Sequence, residues 1–263
     1  MSVITVTKAM SVADLDAAAK VRCAVFADEF AYLDSHDYPA GREVDGFDVL
    51  PTTVNFVGRV DGQTAGTERL LFANPCVAAR CNVRHGLSIE RHLDLKRFRL
   101  NMALAEIPRS SVLKPFRRTG VMHHLYFAAY VECLRRGVTH WIAVSNTETD
   151  CATDAAVVMR LLEARGLWLK EFDAEPRHVA VPAHEPRYRL YGEGHHNEMR
   201  RGNLAAVPLP RTLELFAKVG ARYFGTPFYD ADFRMFAMPL ILDMKDFVHS
   251  PYGTLPLPLA MAA

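Results

Sequence analysis

Residues 105–122, AEIPRSSVLKPFRRTGVM, are the stretch that most constrains the fold. It begins as an apolar strand pattern that contains one carboxylate, Glu106, and it continues through a basic segment to Gly120. A helical period starts at Val121. Backbone N–H groups and the helix dipole bind anions at a helix N-terminus, and nearby arginines add positive charge. We therefore predict a strand, a phosphate-binding loop and a helix in that order, with an ordinary helix start as the alternative.

The segments on either side alternate between strand and helix patterns. We predict strands over 3–7, 54–60, 64–72, 141–144 and 234–244, and one more over 102–107 and 112–113 around an interruption at Pro108-Arg-Ser-Ser111. Helices are predicted from Ser11 to about Glu29 and over 121–136, 152–165 and 212–219, whereas 31–51 is a loop and 73–101 has no sustained period. Asp61-Gly62 suits a tight hairpin turn. This order predicts an α/β (α+β) fold with a mixed central sheet flanked by helices.

Composition excludes several classes of protein. The 263 residues include 31 Lys+Arg and 30 Asp+Glu, so the basic surplus of a generic nucleic-acid-binding protein is missing. Half of the residues are hydrophobic, which argues against disorder. No apolar run approaches the roughly 18–20 residues that span a bilayer, and the first ten residues have no evident secretory signal. We expect a cytoplasmic protein without a transmembrane segment.

Cysteine and proline usage bear on cofactors and domains. The five cysteines are odd in number and scattered, and their spacing to histidine matches no common zinc pattern, so we expect neither a disulfide framework nor a metal. Ten of the 15 prolines lie from Pro176 onward. We predict one domain over 1–263, with a core of about 1–175 and a Pro-rich C-terminal extension of about 176–263. A separate second domain is the alternative.

An acidic loop is the first group of candidate functional residues. Glu43, Asp45 and Asp48 place three carboxylates within six residues. Such a group binds a cationic amine, binds a hard metal through oxygen, or pairs with arginines. The spacing does not match a calcium-binding loop. A solvated acidic loop is the alternative.

Two arginines are expected to point inward. Arg22 lies within the apolar period of the first helix, and strand alternation puts Arg69 on one face with Thr67 and Leu71. An unpaired buried charge costs about 3–5 kcal/mol, so each arginine needs a carboxylate, and the acidic loop can supply it. A structural clamp and a substrate anchor are both compatible with this pattern.

These motifs in this order resemble the acyl-homoserine-lactone (autoinducer) synthases, and equally the long-chain N-acyl amino acid synthases and the ornithine-lipid N-acyltransferases. All belong to the GNAT N-acyltransferase superfamily. The residues that carry the resemblance are Arg22, Phe26, Glu43, Asp45, Asp48, Arg69, Glu106 and Arg109. The Arg117-x2-Gly120 loop resembles the superfamily's pyrophosphate or phosphopantetheine loop. The resemblance implies the GNAT acyl-CoA N-acyltransferase fold.

The resemblance also implies a reaction. The acyl donor is carried on phosphopantetheine, usually by acyl carrier protein and otherwise by CoA as co-substrate, and the acceptor is an amino-acid-like amine; no bound cofactor is implied. Its catalytic residues correspond to Glu106 and Arg109, and Glu106 or a water molecule that it orders removes the amine proton. The implied acceptor site consists of Arg22, Phe26, Tyr32, Glu43, Asp45, Asp48 and Arg69. The implied acyl and phosphopantetheine site consists of Ser110, Val112, Leu113, Arg117, Arg118, Thr119, Gly120 and Val121, with backbone N–H groups near 110–113 polarising the thioester carbonyl.

Departures from the resemblance favour one branch. Tyr32 stands where autoinducer synthases carry Trp, and the tail after Ala174 is longer than theirs. Met122 stands where the superfamily loop has a small residue, which disfavours CoA. The N-acyl amino acid branch is therefore favoured. An autoinducer synthase that uses S-adenosylmethionine, and a non-catalytic sensor that binds acyl carrier protein or lipid, are the alternatives.

The charge distribution fits a carrier-protein donor. Residues 80–118 contain ten Lys/Arg (Arg80, Arg84, Arg91, Lys96, Arg97, Arg99, Arg109, Lys114, Arg117 and Arg118) against three Asp/Glu. Acyl carrier proteins are acidic, and opposite charges accelerate association. A solvated basic face or phosphate binding is the alternative.

Overall fold

A computed structural model of the chain describes residues 2–96, 98, 101–172, 174–178, 182 and 184–250. Within these residues the strands are β1 (Ile4–Lys8), β2 (Thr53–Val60), β3 (Gln63–Phe72), β4 (Leu104–Val112), β5 (His140–Asn146), β6 (Arg222–Tyr223), β7 (Phe228–Asp230) and β8 (Met235–Asp243). The helices are α1 (Val12–Cys23), α2 (Pro75–Cys81), α3 (Val121–Arg135), α4 (Ala152–Ala164), α5 (Glu193–Arg200), α6 (Arg211–Lys218) and α7 (Met244–Val248).

The strands form a mixed sheet in the order β1-β2-β3-β4-β5-β8-β6, and β7 pairs with β8 outside this path. β4 and β5 are parallel, whereas β2 is antiparallel to β1 and β3, and β8 is antiparallel to β6 and β7. The predicted mixed sheet flanked by helices is confirmed. The chain divides into two compact units, and the division cuts β4 after Pro108.

Of the described residues, the first unit comprises 2–71, 109–139 and 243–250. The predicted hairpin joins β2 to β3 through Asp61 and Gly62, whose φ angles of 50° and 80° are those of a tight turn. A Cβ at Gly58 would lie 2.7 Å from Val121 Cγ2, so only glycine allows α3 to pack this closely on β2. Asn55, on the other face of β2, hydrogen-bonds to Arg22 of α1. α1 and α3 therefore cover opposite faces of these strands.

The second unit comprises residues 72–108 and 140–242. β4 and β5 pair over Leu104–Glu106 and His140–Ile142. The buried strand β8 runs through this unit, and its core includes Trp141, Leu161 and Phe224. The Pro-rich region predicted as an extension thus contributes the paired strands β6, β7 and β8 and the helices α5 and α6.

Two sequence predictions of local structure were wrong. β4 runs without the predicted interruption through Pro108 to Val112. The last β4–β5 pair involves Glu106, so the N–H that Pro108 lacks is not needed in that ladder. The segment 73–101, predicted without regular structure, contains α2, which begins at Pro75 after an Asn74 side-chain cap, and a 3-10 turn at Ser88–Arg91.

In the part of the chain that the structure describes, no helix is both long and apolar enough to cross a membrane.

Candidate functional site

Six charged side chains of the first unit form a network that we call the ionic cluster: Arg22, Glu43, Asp45, Asp48, Arg69 and Arg109. Three separate parts of the chain supply the arginines, namely α1, β3 and β4, and the loop before β2 supplies the carboxylates. Three arginines face three carboxylates, so the formal charges of the cluster balance.

Arg22 anchors the acidic loop to α1. Its side chain is 2% exposed, and Nε donates to Glu43 Oε2. Nη2 donates to the backbone oxygen of Glu43 at 2.6 Å and to Asp48 Oδ2 at 2.9 Å, and Nη1 donates to Asn55 Oδ1 at 3.2 Å. One guanidinium thus fixes both ends of the acidic loop to a helix and to β2.

Arg69 makes a two-pronged contact from β3. Its Nη1 and Nη2 donate to Asp45 Oδ1 and Oδ2 at 2.9 and 2.8 Å, and Nη1 lies 3.1 Å from Asp48 Oδ2. The parallel geometry of a guanidinium and a carboxylate is among the strongest hydrogen-bonding arrangements in proteins. The prediction that the inward arginines pair with the acidic loop is confirmed.

Arg109 completes the cluster from β4, because its Nε donates to Glu43 Oε1 at 3.1 Å. Burial acts to raise the pKa of Glu43, but Arg109, Arg22 and Arg69 outweigh it and hold that pKa below its ordinary value. Burial likewise acts to raise the pKa of Asp45, but Arg69, the Phe47 N–H and Arg109 together outweigh it and hold that pKa below its ordinary value. Both carboxyl groups are therefore ionised at neutral pH.

This geometry is that of a structural clamp. It leaves an anchoring role open only for the members that solvent reaches. The side chains of Asp45, Arg109 and Asp48 are 25%, 18% and 13% exposed, whereas Arg22, Glu43 and Arg69 are at most 2% exposed. The most exposed anion and cation of the cluster are therefore Asp45 and Arg109.

The predicted acceptor residues Phe26 and Tyr32 lie where α1 ends. The helix widens into a π-helical segment, Ala24–Glu29, which closes with the Phe30 N–H donating to the Val25 oxygen at 3.1 Å. The Phe26 oxygen then accepts the Tyr32 N–H at 2.8 Å. π-helical turns recur at functional sites. Both side chains are half-buried.

The predicted phosphate loop leads into α3 through Gly120, whose φ of 89° favours glycine. The N–H groups of Arg118, Gly120 and Met122 have no acceptor among the described residues. The Thr119 hydroxyl donates to the Phe116 oxygen and accepts weakly, at 3.4 Å, from the Val121 N–H. A row of unengaged N–H groups before a helix is a geometry that holds an anion.

The two arginines of this loop differ. Arg117 donates to both carboxylate oxygens of Glu29, at 2.7 and 2.6 Å, and to the Val112 oxygen at 3.2 Å. Arg118 is exposed and has no ion-pair partner in the described chain. Arg118 is thus the cation of the loop that is available to a ligand.

One part of the predicted donor site is corrected. The Leu113 N–H donates to the Ala65 oxygen at 2.9 Å, so it is not available to polarise a carbonyl. Ser110 and Val112 lie on β4 just before it, Ser110 partly exposed and Val112 buried.

The predicted base, Glu106, lies in the second unit, on β4, and is 1% exposed. Its Oε1 accepts from the Ser88 hydroxyl at 2.5 Å, and its Oε2 accepts from the Ile89 N–H at 3.1 Å. The 3-10 turn that sequence analysis missed therefore orients this carboxylate.

Glu68, which no sequence pattern singled out, is fully buried on β3. Gly66, two residues earlier on the same face, packs against Leu125, so Glu68 lies on the α3 side, opposite Arg69. Its oxygens have no hydrogen-bond partner at good geometry among the described residues. Burial raises the pKa of Glu68 well above its usual range, and a weak interaction with Ser110 opposes this only in part. A neutral carboxylic acid is the form that this position accepts.

Replacing Glu68 is expected to stabilise the protein as the pH rises. In the unfolded chain this carboxyl ionises near pH 4.5, whereas the fold keeps its proton, so the wild type loses stability as the pH rises from 4.5 toward the raised folded pKa. Glu68→Gln removes this titration, and Glu68→Met should gain about 1–3 kcal/mol at pH 8. Urea unfolding at pH 5 and pH 8 measures this, and an advantage of the variants that does not grow with pH would contradict it.

Some cations of the basic stretch, residues 80–118, already contact other groups of the protein. Arg84 donates to the Lys96 oxygen at 2.7 Å, Lys96 pairs with Asp94, and Arg91 lies 3.8 Å from Asp232. Arg97 and Arg99 lie outside the described residues. Within residues 80–118, the exposed cations that have no ion-pair partner in the described chain are Arg80, Lys114 and Arg118.

Comparison with known proteins matches part of the chain to a domain model and the whole chain to a fold. Residues 21–127 match the model of the acetyltransferase (GNAT) domain. A search of the curated proteins finds no match. FeeM, an N-acyl amino acid synthase from uncultured soil microbes, is a structural neighbour with 8% identity and a TM-score of 0.51, over 96% of this chain and 98% of that one. BjaI, a CoA-dependent acyl-homoserine lactone synthase solved with MTA, has 14% identity and a TM-score of 0.50, over 95% and 91%. At these identities the likeness concerns the fold, and the predicted fold is confirmed.

Proposed function

We propose that the chain is an N-acyltransferase, from the premise that residues 21–127 form a GNAT acetyltransferase domain. The proposed enzyme moves a fatty acyl group from acyl carrier protein, or from CoA, to an amine. The amine belongs to an amino acid or a related small molecule. The observation that carries the proposal is Glu106, a buried carboxylate on β4 that Ser88 and Ile89 hold in one orientation. A base for amine acylation needs this fixed placement. The shared fold with an N-acyl amino acid synthase supports the choice of acceptor.

The chemistry requires one proton acceptor and one thiol leaving group. The neutral amine nitrogen attacks the thioester carbonyl, the C–N bond forms, and the C–S bond breaks. Glu106 in its carboxylate form takes the amine proton, directly or through a water molecule, and the sulfur leaves as a thiolate that is protonated from solvent. No group of the protein is acylated in this scheme, so binding geometry and Glu106 supply the catalysis.

The donor is proposed to bind along the end of β4 and the loop before α3. Three features of the loop support this: the unengaged N–H groups of Arg118, Gly120 and Met122, the start of α3, and the free guanidinium of Arg118. Each favours the phosphate of phosphopantetheine, which acyl carrier protein and CoA share. Lys114 and Arg118 are exposed positive charges that an acidic carrier protein would meet.

The acceptor is proposed to bind at the exposed side of the ionic cluster. An amino acid carries both charges, and Asp45 and Arg109 are the most exposed anion and cation there. Arg22, Glu43, Asp48 and Arg69 are proposed to hold these two in place, and Phe26 and Tyr32 to line the acceptor loop.

Release of free thiol tests the proposal. Purified protein is incubated with decanoyl-acyl carrier protein or decanoyl-CoA and a panel of amino acids, and free thiol and products are measured. We expect thiol release that depends on an amino acid and yields an N-acyl amino acid. A lactone and methylthioadenosine formed only with S-adenosylmethionine would instead identify an autoinducer synthase. Acyl-donor binding without thiol release with any amine would identify a sensor.

A further inference from the structure

The donor loop is tied to the end of α1 by an ion pair that the acyl-transfer chemistry does not use. Arg117 in the loop and Glu29, the last residue of the π-helical segment, are 88 positions apart and form a two-pronged pair at 2.7 and 2.6 Å. The third donor of Arg117, Nε, is occupied by the Val112 oxygen. All three nitrogens of the Arg117 guanidinium are therefore engaged within the protein, unlike those of its neighbour Arg118.

The Arg117–Glu29 pair lies next to two stacked aromatic rings, those of Phe30 and Tyr32. The guanidinium carbon of Arg117 lies 5.0 Å from the centre of the Phe30 ring, and Phe30 stacks on Tyr32 with centres 5.1 Å apart and planes 12° apart. Cation–π contact and stacking are both favourable in this geometry. The position of Arg117 is thus linked through Phe30 to Tyr32, in the loop that we propose to meet the acceptor.

Arg117 can exchange the Glu29 carboxylate for a phosphate group. A guanidinium binds a phosphate with the same two parallel hydrogen bonds that it makes to a carboxylate. The side chains of Arg117 and Glu29 are 35% and 25% exposed, and partly exposed pairs of this kind contribute little to stability. Arg22 and Arg69 of the ionic cluster, which are at most 2% exposed, lack this freedom.

We propose that Glu29 is a positioning residue that competes with the donor phosphate for Arg117, so that donor binding releases Glu29 and with it the Phe30–Tyr32 stack. This rests on the proposed function, since it assumes a phosphopantetheine donor at the loop. A consequence is that the donor binds first. The segment that carries Phe30 and Tyr32 then takes the position in which it meets the acceptor.

A double-mutant cycle with a matched control tests the competition. The probe is 4′-phosphopantetheine, titrated by calorimetry against the full chain carrying Glu29→Gln, Arg117→Gln, both, or Asp28→Asn. Asp28 is the neighbouring exposed acid and has no ion pair in the described chain, so its variant removes the same charge without touching the pair. Glu29→Gln should lower the Kd by about two- to five-fold, the range set by an exposed ion pair. It should have no such effect when Arg117 is already Gln.

The outcomes separate the competition of Glu29 with the donor phosphate for Arg117, which we call the latch, from the donor site. Equal tightening in Glu29→Gln and Asp28→Asn, weaker binding in Glu29→Gln, or the same gain without Arg117 would each overturn the proposal, because a structural role or a general charge effect predicts those results. Arg118→Gln is the independent check of the donor loop. If it weakens binding while Glu29→Gln behaves as Asp28→Asn does, the latch is wrong and the donor site stands. If the probe binds none of the proteins, the proposed donor site is wrong, and the latch, which depends on that site, is wrong as well.

Discussion

Arg22→Met is expected to lower the free energy of unfolding by about 3–5 kcal/mol, the cost of leaving a buried ion-pair partner without its counter-charge. The substitution keeps a long side chain that can pack against α1. It removes the donors to Glu43, Asp48 and Asn55 together. For a protein of this size the melting temperature should fall by roughly 10 °C. Urea and thermal unfolding measure both quantities.

Arg42→Met is the matched control for this change. Arg42 pairs with Asp16 of the same helix, but its side chain is 40% exposed, against 2% for Arg22. An exposed pair is worth less than about 1 kcal/mol, so this variant should unfold nearly as the parent does. Similar losses in the two variants would contradict the clamp, because burial is the property that distinguishes the pairs.

The same cluster predicts the direction of acid sensitivity. The folded-state pKa values of Glu43 and Asp45 are below their ordinary values because the arginines outweigh burial. Their contribution to stability is therefore present above the unfolded-state pKa and is lost as the pH falls through the folded one. Glu68 acts in the opposite direction, since its raised pKa costs stability as the pH rises.

Glu106→Gln is expected to lower kcat by about 10²- to 10⁴-fold, the contribution of a positioned general base. The amide has nearly the same shape and still accepts one hydrogen bond from Ser88 or Ile89, but it cannot take a proton. The melting temperature should change far less than it does in Arg22→Met. Thiol release at saturating donor and amine measures kcat.

Glu90→Gln is the control for the catalytic variant. Glu90 is an equally buried glutamate of the same unit, and its oxygens accept the backbone N–H groups of Arg84, His85 and Leu87. Its loss should reduce stability with kcat retained in the folded protein. A Glu106→Gln variant with full kcat, or with no greater loss than Glu90→Gln, would remove Glu106 from the role of base.

Local chemistry explains which parts of this fold are predictable from the sequence. Asp61-Gly62 specifies its turn through two residues that tolerate positive φ. Arg22 and Arg69 interrupt apolar patterns, and the cost of an unpaired buried charge predicted their carboxylate partners. Such features depend on the residue itself and on its immediate neighbours.

The remaining features depend on tertiary contacts. Glu68 lies beside Arg69 in sequence but points to the opposite face, and only the packing of α3 makes it a buried acid whose oxygens have no well-formed hydrogen bond among the described residues. The pairing of Glu29 with Arg117 joins segments 88 positions apart. Pro108 favoured an interruption of β4, yet the strand continues because the β4–β5 ladder has already ended at Glu106.

The most direct measurement of amine acylation is mass spectrometry of lipid extracts from cells that express this chain or its Glu106→Gln variant. The account predicts N-acylated amino acids that accumulate with the parent chain and fall to the background of cells without it in the variant. Extracts in which neither chain adds an N-acyl product, or in which both add it equally, would contradict the assignment of an N-acyltransferase that uses Glu106.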